Sequence, residues 1–366
     1  MKKRFGVAAL VAATGCAVIF AGCTGCNGCG SNGKANEAAF SSNWYADTNF
    51  KYIQPTFTKD NDAFTGAEEI TYTVTHDKET AGNTTYSVDY KDGTYTTKFY
   101  GTKFDKTLID DEFKASYPEK DITVYCYETT LEFLSVTFTV GDKTEKFDNN
   151  TVKTVSYFTN VNEHLRPLYS AQSVNMVSPA EYQVSKIEDA YLKVEQEVKT
   201  SYNYEGTAAK TVITGDGATE FVTNGLGDTD NSLVDVNGLN IAVRAMQLSE
   251  SFSQVISVYS PAGKLQNYTF AGSSIALVAE ERKAYEEILD GKGLFVKGED
   301  KSLHTVCVSA TLNSDMKGVS QKYWFAAIDN AKNNTGRTTM VKMAVPLSFS
   351  LGTLNYSLSD ITNTLY

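Results

Sequence analysis

Six cysteines, three histidines and 44 acidic residues are the groups of this 366-residue chain that could do chemistry. Cys23, Cys26 and Cys29 stand in C-x2-C-x2-C spacing, which would suit thiolate ligation of a metal cluster. A fourth Cys-Pro is missing and the surrounding Gly-rich stretch offers no preformed site, so no cluster is expected; a Cys26–Cys29 disulfide or other thiol modification stays open. Cys126 and Cys307 fall in separate apolar segments and read as small buried residues. They could bridge only if their Cα atoms came within about 7 Å. His76, His164 and His304 are far apart and belong to no H-E-x-x-H or C-x2-C zinc pattern. Asp228-Thr229-Asp230-Asn231-Ser232 opens like a Ca²⁺ loop, with oxygens on alternate residues, but Leu233 and Leu239 occupy the positions that need Gly and a bidentate acid. Ser314-Asp315-Met316-Lys317 has S-x-x-K spacing, which brings hydroxyl and amine together only across a helical turn. Here it lies in a polar turn between strands. Gly225-Leu226-Gly227 lacks the third glycine of a dinucleotide loop. Asp110-Asp111 and Glu280-Glu281 sit at helical surface positions, where solvation explains them. No catalytic, cofactor-binding or metal-binding residue is therefore expected, and no cofactor.

The N-terminus is more informative. Met1-Lys2-Lys3-Arg4 is a basic head, Phe5 to Phe20 is an apolar run, and Ala21-Gly22-Cys23 places small residues before a cysteine. This is a secretory signal. Its ending, Phe20-Ala21-Gly22-Cys23, resembles the lipobox of bacterial lipoproteins, with Phe20 where that family usually has Leu. The resemblance implies a signal peptide over residues 1–22, diacylglyceryl modification of the Cys23 thiol and cleavage on its N-terminal side. Ala13-Thr14-Gly15-Cys16 is a second stretch of this kind, but cleavage there would leave Ala17-Val18-Ile19-Phe20 exposed on the mature chain. An apolar run of this length is short of the roughly 20 residues that span a bilayer. Two acyl chains hold a protein on a membrane where one binds only marginally. The expected location is the extracytoplasmic face of the cell membrane, with the body on a flexible Gly/Asn/Ser tether over residues 23–43.

Charge narrows the partners. The formal net charge is −11, and removal of residues 1–22 takes away three basic residues and no acidic one. A surface of that sign gains nothing from phosphate-rich polymers, so nucleic acid is not an expected partner. It also gains nothing from anionic lipid, which leaves membrane binding to the anchor.

These groups must be positioned by a β-rich body. Hydrophobic residues make up 42% and aromatics 12% of the chain, with 22 Tyr and 19 Phe against 2 Trp; such side chains suit a pleated, half-buried surface. Ile70, Tyr72 and Val74 alternate with Thr71, Thr73 and Thr75, the period of a strand with one wet face. The sequence predicts a hairpin turn at Asp92-Gly93, a strand on which Leu134, Val136, Phe138 and Val140 share one face, and reversals at Gly141-Asp142, Glu205-Gly206 and Ser260–Gly263. Further strands are expected over 303–312, 322–328, 338–345 and 347–358, with an exposed loop over 329–337 and a strand break at Pro346. Helices are few: 274–289, a short one over 107–116, and a third marked by Leu239, Ala242, Val243 and Met246. The expected fold class is mainly β (α+β), with antiparallel meander sheets in two lobes, 44–183 and 184–366. The expected function is a non-enzymatic binding or interaction module whose ligand is a glycan, a lipid or a protein. The alternatives are an envelope hydrolase using acidic residues and a half-barrel lipid or lipoprotein carrier.

Overall fold

A computed structural model of the chain describes residues 56–57, 64–65, 67–78, 85–161, 164–226, 233–244, 248–295, 302–312, 320–329 and 336–363. The signal segment, the tether and Cys16, Cys23, Cys26 and Cys29 lie outside the described residues, as do Asp228–Ser232 and Ser314–Lys317.

The fold is mostly β. After a two-residue pair, β1 (Thr56–Phe57) with β2 (Phe64–Thr65), fifteen strands form one mixed sheet. Its first half comprises β3 (Ala67–Asp77), β4 (Ser87–Lys103), β5 (Thr123–Val140), β6 (Lys143–Val161), β7 (His164–Pro179), β8 (Tyr191–Tyr202), β9 (Ala208–Gly215) and β10 (Thr219–Asn224). Its second half comprises β11 (Val234–Asp235), β12 (Ser253–Ser260), β13 (Lys264–Ser273), β14 (Thr305–Leu312), β15 (Gln321–Asp329), β16 (Gly336–Pro346) and β17 (Thr353–Asn363). The order is β10-β9-β8-β7-β6-β5-β4-β3-β17-β16-β15-β14-β13-β12-β11, antiparallel except for β11 beside β12. The two halves expected as lobes share this sheet: β7 pairs with β8 across residue 183, and β3 pairs with β17.

The sheet curls until its ends meet. Tyr259 of β12 places its hydroxyl 3.3 Å from Thr211 Oγ1 of β9 and 3.1 Å from Thr223 Oγ1 of β10, and its ring meets Tyr202 edge-on at 5.7 Å. Gly263, in the β12–β13 turn at φ 73°, has no room for a Cβ, which would stand 2.3 Å from the Phe221 ring of β10. The edge strands β10 and β11 are thus brought near one another by side chains, giving a barrel-like body.

The interior is filled. Residues 236–238 form a 3₁₀ turn that leads into α2 (Leu239–Arg244), and every residue from Leu233 to Arg244 is buried. Here the periodicity reading needs correction. The Leu239, Ala242, Val243 stripe marks a helix, but the helix is covered on all sides rather than laid on the sheet by one face. Its polar members reach the surrounding strands: Asn240 Nδ2 donates to Tyr127 Oη of β5 at 3.2 Å, and Arg244 pairs with Glu68 of β3.

Two shorter segments lie against the outside. Residues 104–122, with α1 (Asp111–Lys114) N-capped by Asp110, form a satellite core of Phe104, Ile109, Phe113, Tyr117 and Ile122 against Leu168 and Tyr169. The helix expected over 274–289 is α3 (Ala279–Gly291); Tyr285 and Leu289 are buried, and Val278 is its exposed N-cap. Lys342 Nζ to Glu281 Oε1 at 2.6 Å and Lys292 Nζ to Asp360 Oδ1 at 2.7 Å tie the helix to β16 and β17.

Two strand expectations are corrected. Asp92-Gly93 does not turn the chain: β4 runs straight through it, with Asp92 at φ 49°. A Cβ on Gly93 would stand 2.6 Å from the Phe133 ring and 2.7 Å from Val74 Cβ, so this glycine permits close packing of three strands. Leu134 is 60% exposed while Ser135 is buried, because the positive φ of Asn149 on the facing strand interrupts the alternation there. Within the span expected as a loop, Gly336 and Arg337 begin β16, and the strand expected over 347–358 starts only at Thr353.

Candidate functional site

Where β3, β16 and β17 end, a groove of about 700 Å³ opens to solvent beside three segments: residues 77–78, the loop around Tyr182, and the turn between Pro346 and Thr353. Proline has no N–H to extend a ladder, and Pro346 closes β16 opposite Thr353. The turn is held by Leu347 N–H donating to Gly352 O at 2.8 Å. Gly352, at φ 107°, lies so close to β3 that a Cβ would stand 2.1 Å from Asp77 O and 2.9 Å from His76 Nε2.

His76 serves this turn. Its Nε2 donates to Leu351 O at 2.8 Å, since a carbonyl only accepts. Burial lowers its pKa from the usual range, against the raising effect of the Leu351 carbonyl, and its ring meets Tyr90 edge-on at 5.4 Å. The neutral imidazole is a clasp for the turn.

The turn carries strain. Phe349 and Ser350 lie at φ 63° and 55°, a left-handed conformation that costs an L-residue roughly 1–2 kcal/mol. Such outliers persist only where the surroundings hold them in place. Their result is to set the Phe349 ring 6.4 Å from Tyr182 at 59°. Ser350→Gly is expected to raise stability by about 1 kcal/mol, the relieved strain exceeding the backbone entropy that glycine loses on folding. An unchanged or lower urea midpoint would show the turn to be unstrained.

Tyr182 is 55% exposed yet is held at both sides. Tyr86 Oη donates to Glu181 O at 2.7 Å, Val184 N–H donates to Thr85 Oγ1 at 3.3 Å, and Ile187 and Ala190 bury themselves in the core. At the rim, Lys78 Nζ lies 3.3 Å from Asp89 Oδ1, and the Asp77 carboxylate accepts at Oδ2 from the neutral amide Nδ2 of Asn355 at 2.8 Å. The groove therefore presents two rings, hydroxyls and one hydrogen-bonded carboxylate.

A second concavity, about 280 Å³, is a trough on the outer sheet face, with Val155 and Ala171 among its lining and Glu128, Lys153, Glu197 and Lys199 around them. It is smaller and has no aromatic ring in its lining.

No family model and no curated protein matches the chain. Among solved structures it is similar to a crystal structure described as a beta-barrel-like protein of domain of unknown function DUF1849 from Brucella abortus. That match has 9% identity and a TM-score of 0.40, and covers 81% of this chain and 98% of that one.

The residues singled out from sequence are dispersed by the fold. Cys126 and Cys307 are free, buried thiols on strands separated by five others, so they do not bridge. Burial pushes the Cys126 thiol up to about 12 and raises Cys307 as well, which keeps both protonated. Asp110 caps α1 and pairs with Lys210 at 3.1 Å, and Glu281 binds Lys342; both acidic pairs are thus structural. Among the described residues no three His, Cys, Asp or Glu side chains gather as a metal site. Sequence reasoning missed the groove itself, because its residues come from three segments and form no motif; the Pro346 break was its one visible trace.

Proposed function

We propose that this is a lipid-anchored extracytoplasmic binding module, tethered through Cys23, which receives its ligand in the groove beside Tyr182 and Phe349. One observation carries the ligand half of this reading: the interior is occupied by residues 233–244, while a ring-lined groove stands open at the end of the barrel. Among the described residues, the space inside the sheet is taken by the buried segment 233–244, which weighs against an acyl-chain carrier. A hydrolase using two acids needs them about 5–9 Å apart in a cleft, and the acid at the groove, Asp77, is engaged by Asn355. The anchor half rests on Phe20-Ala21-Gly22-Cys23.

The two halves are tested separately. Cys23→Ala should abolish incorporation of a radiolabelled or alkyne-tagged fatty acid and release the protein from the membrane fraction. Label that persists would move the modification to Cys16. For the ligand half, a bound ligand at 100 times its Kd adds about 2.7 kcal/mol of stability, so a compound panel read by thermal shift should contain a hit that Tyr182→Ala removes.

A further inference from the structure

Resting on that binding reading, we infer that the groove takes a neutral saccharide, stacked on Tyr182 and held by the Asp77–Asn355 pair. The ring chemistry comes first. A pyranose has an apolar C–H face and a rim of hydroxyls; Tyr182 offers an exposed aromatic face with a polar tip, and Phe349 stands beside it at 6.4 Å. The polar chemistry fits the same guest. Asn355 donates an amide N–H to Asp77 Oδ2, which orients a groove-lining carboxylate whose remaining lone pairs can accept from sugar hydroxyls. Ser350 and Thr353 line the groove with hydroxyls.

Charge and topology narrow the alternatives. Lys78 is paired with Asp89, whereas Asp77 is hydrogen-bonded by a neutral amide and keeps its negative charge, so the groove disfavours an anionic ligand and offers a carboxylate that accepts from hydroxyls. A peptide bound by strand addition needs a free ladder edge. The strands that border this groove, β3, β16 and β17, are all interior to the sheet, so no edge is free there. The seat is also prepared in advance: the left-handed Phe349 and Ser350 are fixed by His76 and by the Leu347–Gly352 hydrogen bond. Ordering costs at binding are thereby reduced.

The test is isothermal titration of the purified full-length protein, in detergent, with chitotetraose, maltotetraose and a mannotetraose. A decapeptide pool and phosphatidylglycerol vesicles serve as parallel arms. At least one tetrasaccharide should bind saturably. Tyr182→Ala should weaken it at least tenfold and Tyr182→Trp should leave it within about threefold; Lys78→Gln should change it less than twofold. Tyr182 is exposed, so folding of these variants is checked by an unchanged urea midpoint. If peptide or vesicle binds in a Tyr182-dependent way and no sugar does, the saccharide inference falls while the groove stands. If sugar binds but Tyr182→Ala is silent, the location is overturned. If no arm shows binding that depends on Tyr182, both the inference and the binding reading beneath it fail.

Discussion

Arg244→Met is expected to destabilise the protein by about 3–5 kcal/mol, the cost typical of removing one partner of a buried ion pair. Arg244 Nη1 donates to Glu68 Oε1 at 2.6 Å and Nη2 to Oε2 at 3.0 Å, a two-point pairing between side chains that are each 2% exposed. Burial pulls the guanidinium pKa down, but Glu68 more than offsets this, so Arg244 stays charged. With methionine in its place the Glu68 carboxylate would remain inside without a counter-charge. The double variant Glu68→Met/Arg244→Met should recover most of the loss, because apolar residues of similar volume replace such pairs at little cost. Urea unfolding of the two single variants and the double variant measures this. A single-variant loss below 1 kcal/mol would show that the pair does not hold the interior helix.

That pair explains why a six-residue helix can persist at all. An isolated helix of this length is not stable in water, and α2 contributes only Leu239–Arg244. It is formed by its surroundings. Asn240 reaches Tyr127 of β5, Arg244 reaches Glu68 of β3, and Asp235 at the start of the segment reaches Ser170 of β7 and Tyr202 of β8. Strands far apart in the sheet order are thus tied through one buried segment, and the curl of the sheet and the filling of its interior are a single arrangement. The same arrangement leaves the open groove outside, at the end of the barrel.

The sequence and the structure agree where one side of a strand is wet. The Ile70, Tyr72, Val74 alternation reads directly as β3, and the Gly141-Asp142 reversal joins β5 to β6. They part where both sides are covered or where a glycine serves packing. Gly93 carries turn chemistry in its sequence context, but the demand it meets is proximity to Phe133 and Val74, which lie 40 and 19 residues away in the chain. The helix at Leu239 is legible from its apolar stripe. That it is surrounded is not, since Asn240 and Arg244 look like a wet face until Tyr127 and Glu68 are brought opposite them. The groove was hidden for the same reason: Asp77, Tyr182 and Phe349 gain meaning only from contacts across the chain.

Asp235 should give the second large effect, and its sign with pH is fixed by geometry. The carboxylate is buried and accepts from Ser170 Oγ at 2.9 Å, from Asn237 N–H at 2.8 Å and from Tyr202 Oη. Asp235→Leu removes the acceptor for all three donors and the cap of the 3₁₀ turn. At about 1–3 kcal/mol for each buried group left unpaired, the loss is on the order of 3–6 kcal/mol. Asp235→Asn is the informative companion. Its Oδ1 still accepts from Asn237, while the Ser170 and Tyr202 hydroxyls can rotate to accept from the amide. In the wild type, burial raises the Asp235 pKa, and the hydrogen bonds from Tyr202, Asn237 and Ser170 only partly counter it. The folded state therefore holds this proton more tightly than the unfolded state does. Stability falls as pH rises from the ordinary carboxylate range through the raised value, and the penalty is complete above it. Asp235→Asn lacks this titration, so the stability difference between it and the wild type should shift in favour of the variant as pH rises. Parallel stability curves across that range would mean that the hydrogen bonds balance burial, and a shift in favour of the wild type that they outweigh it.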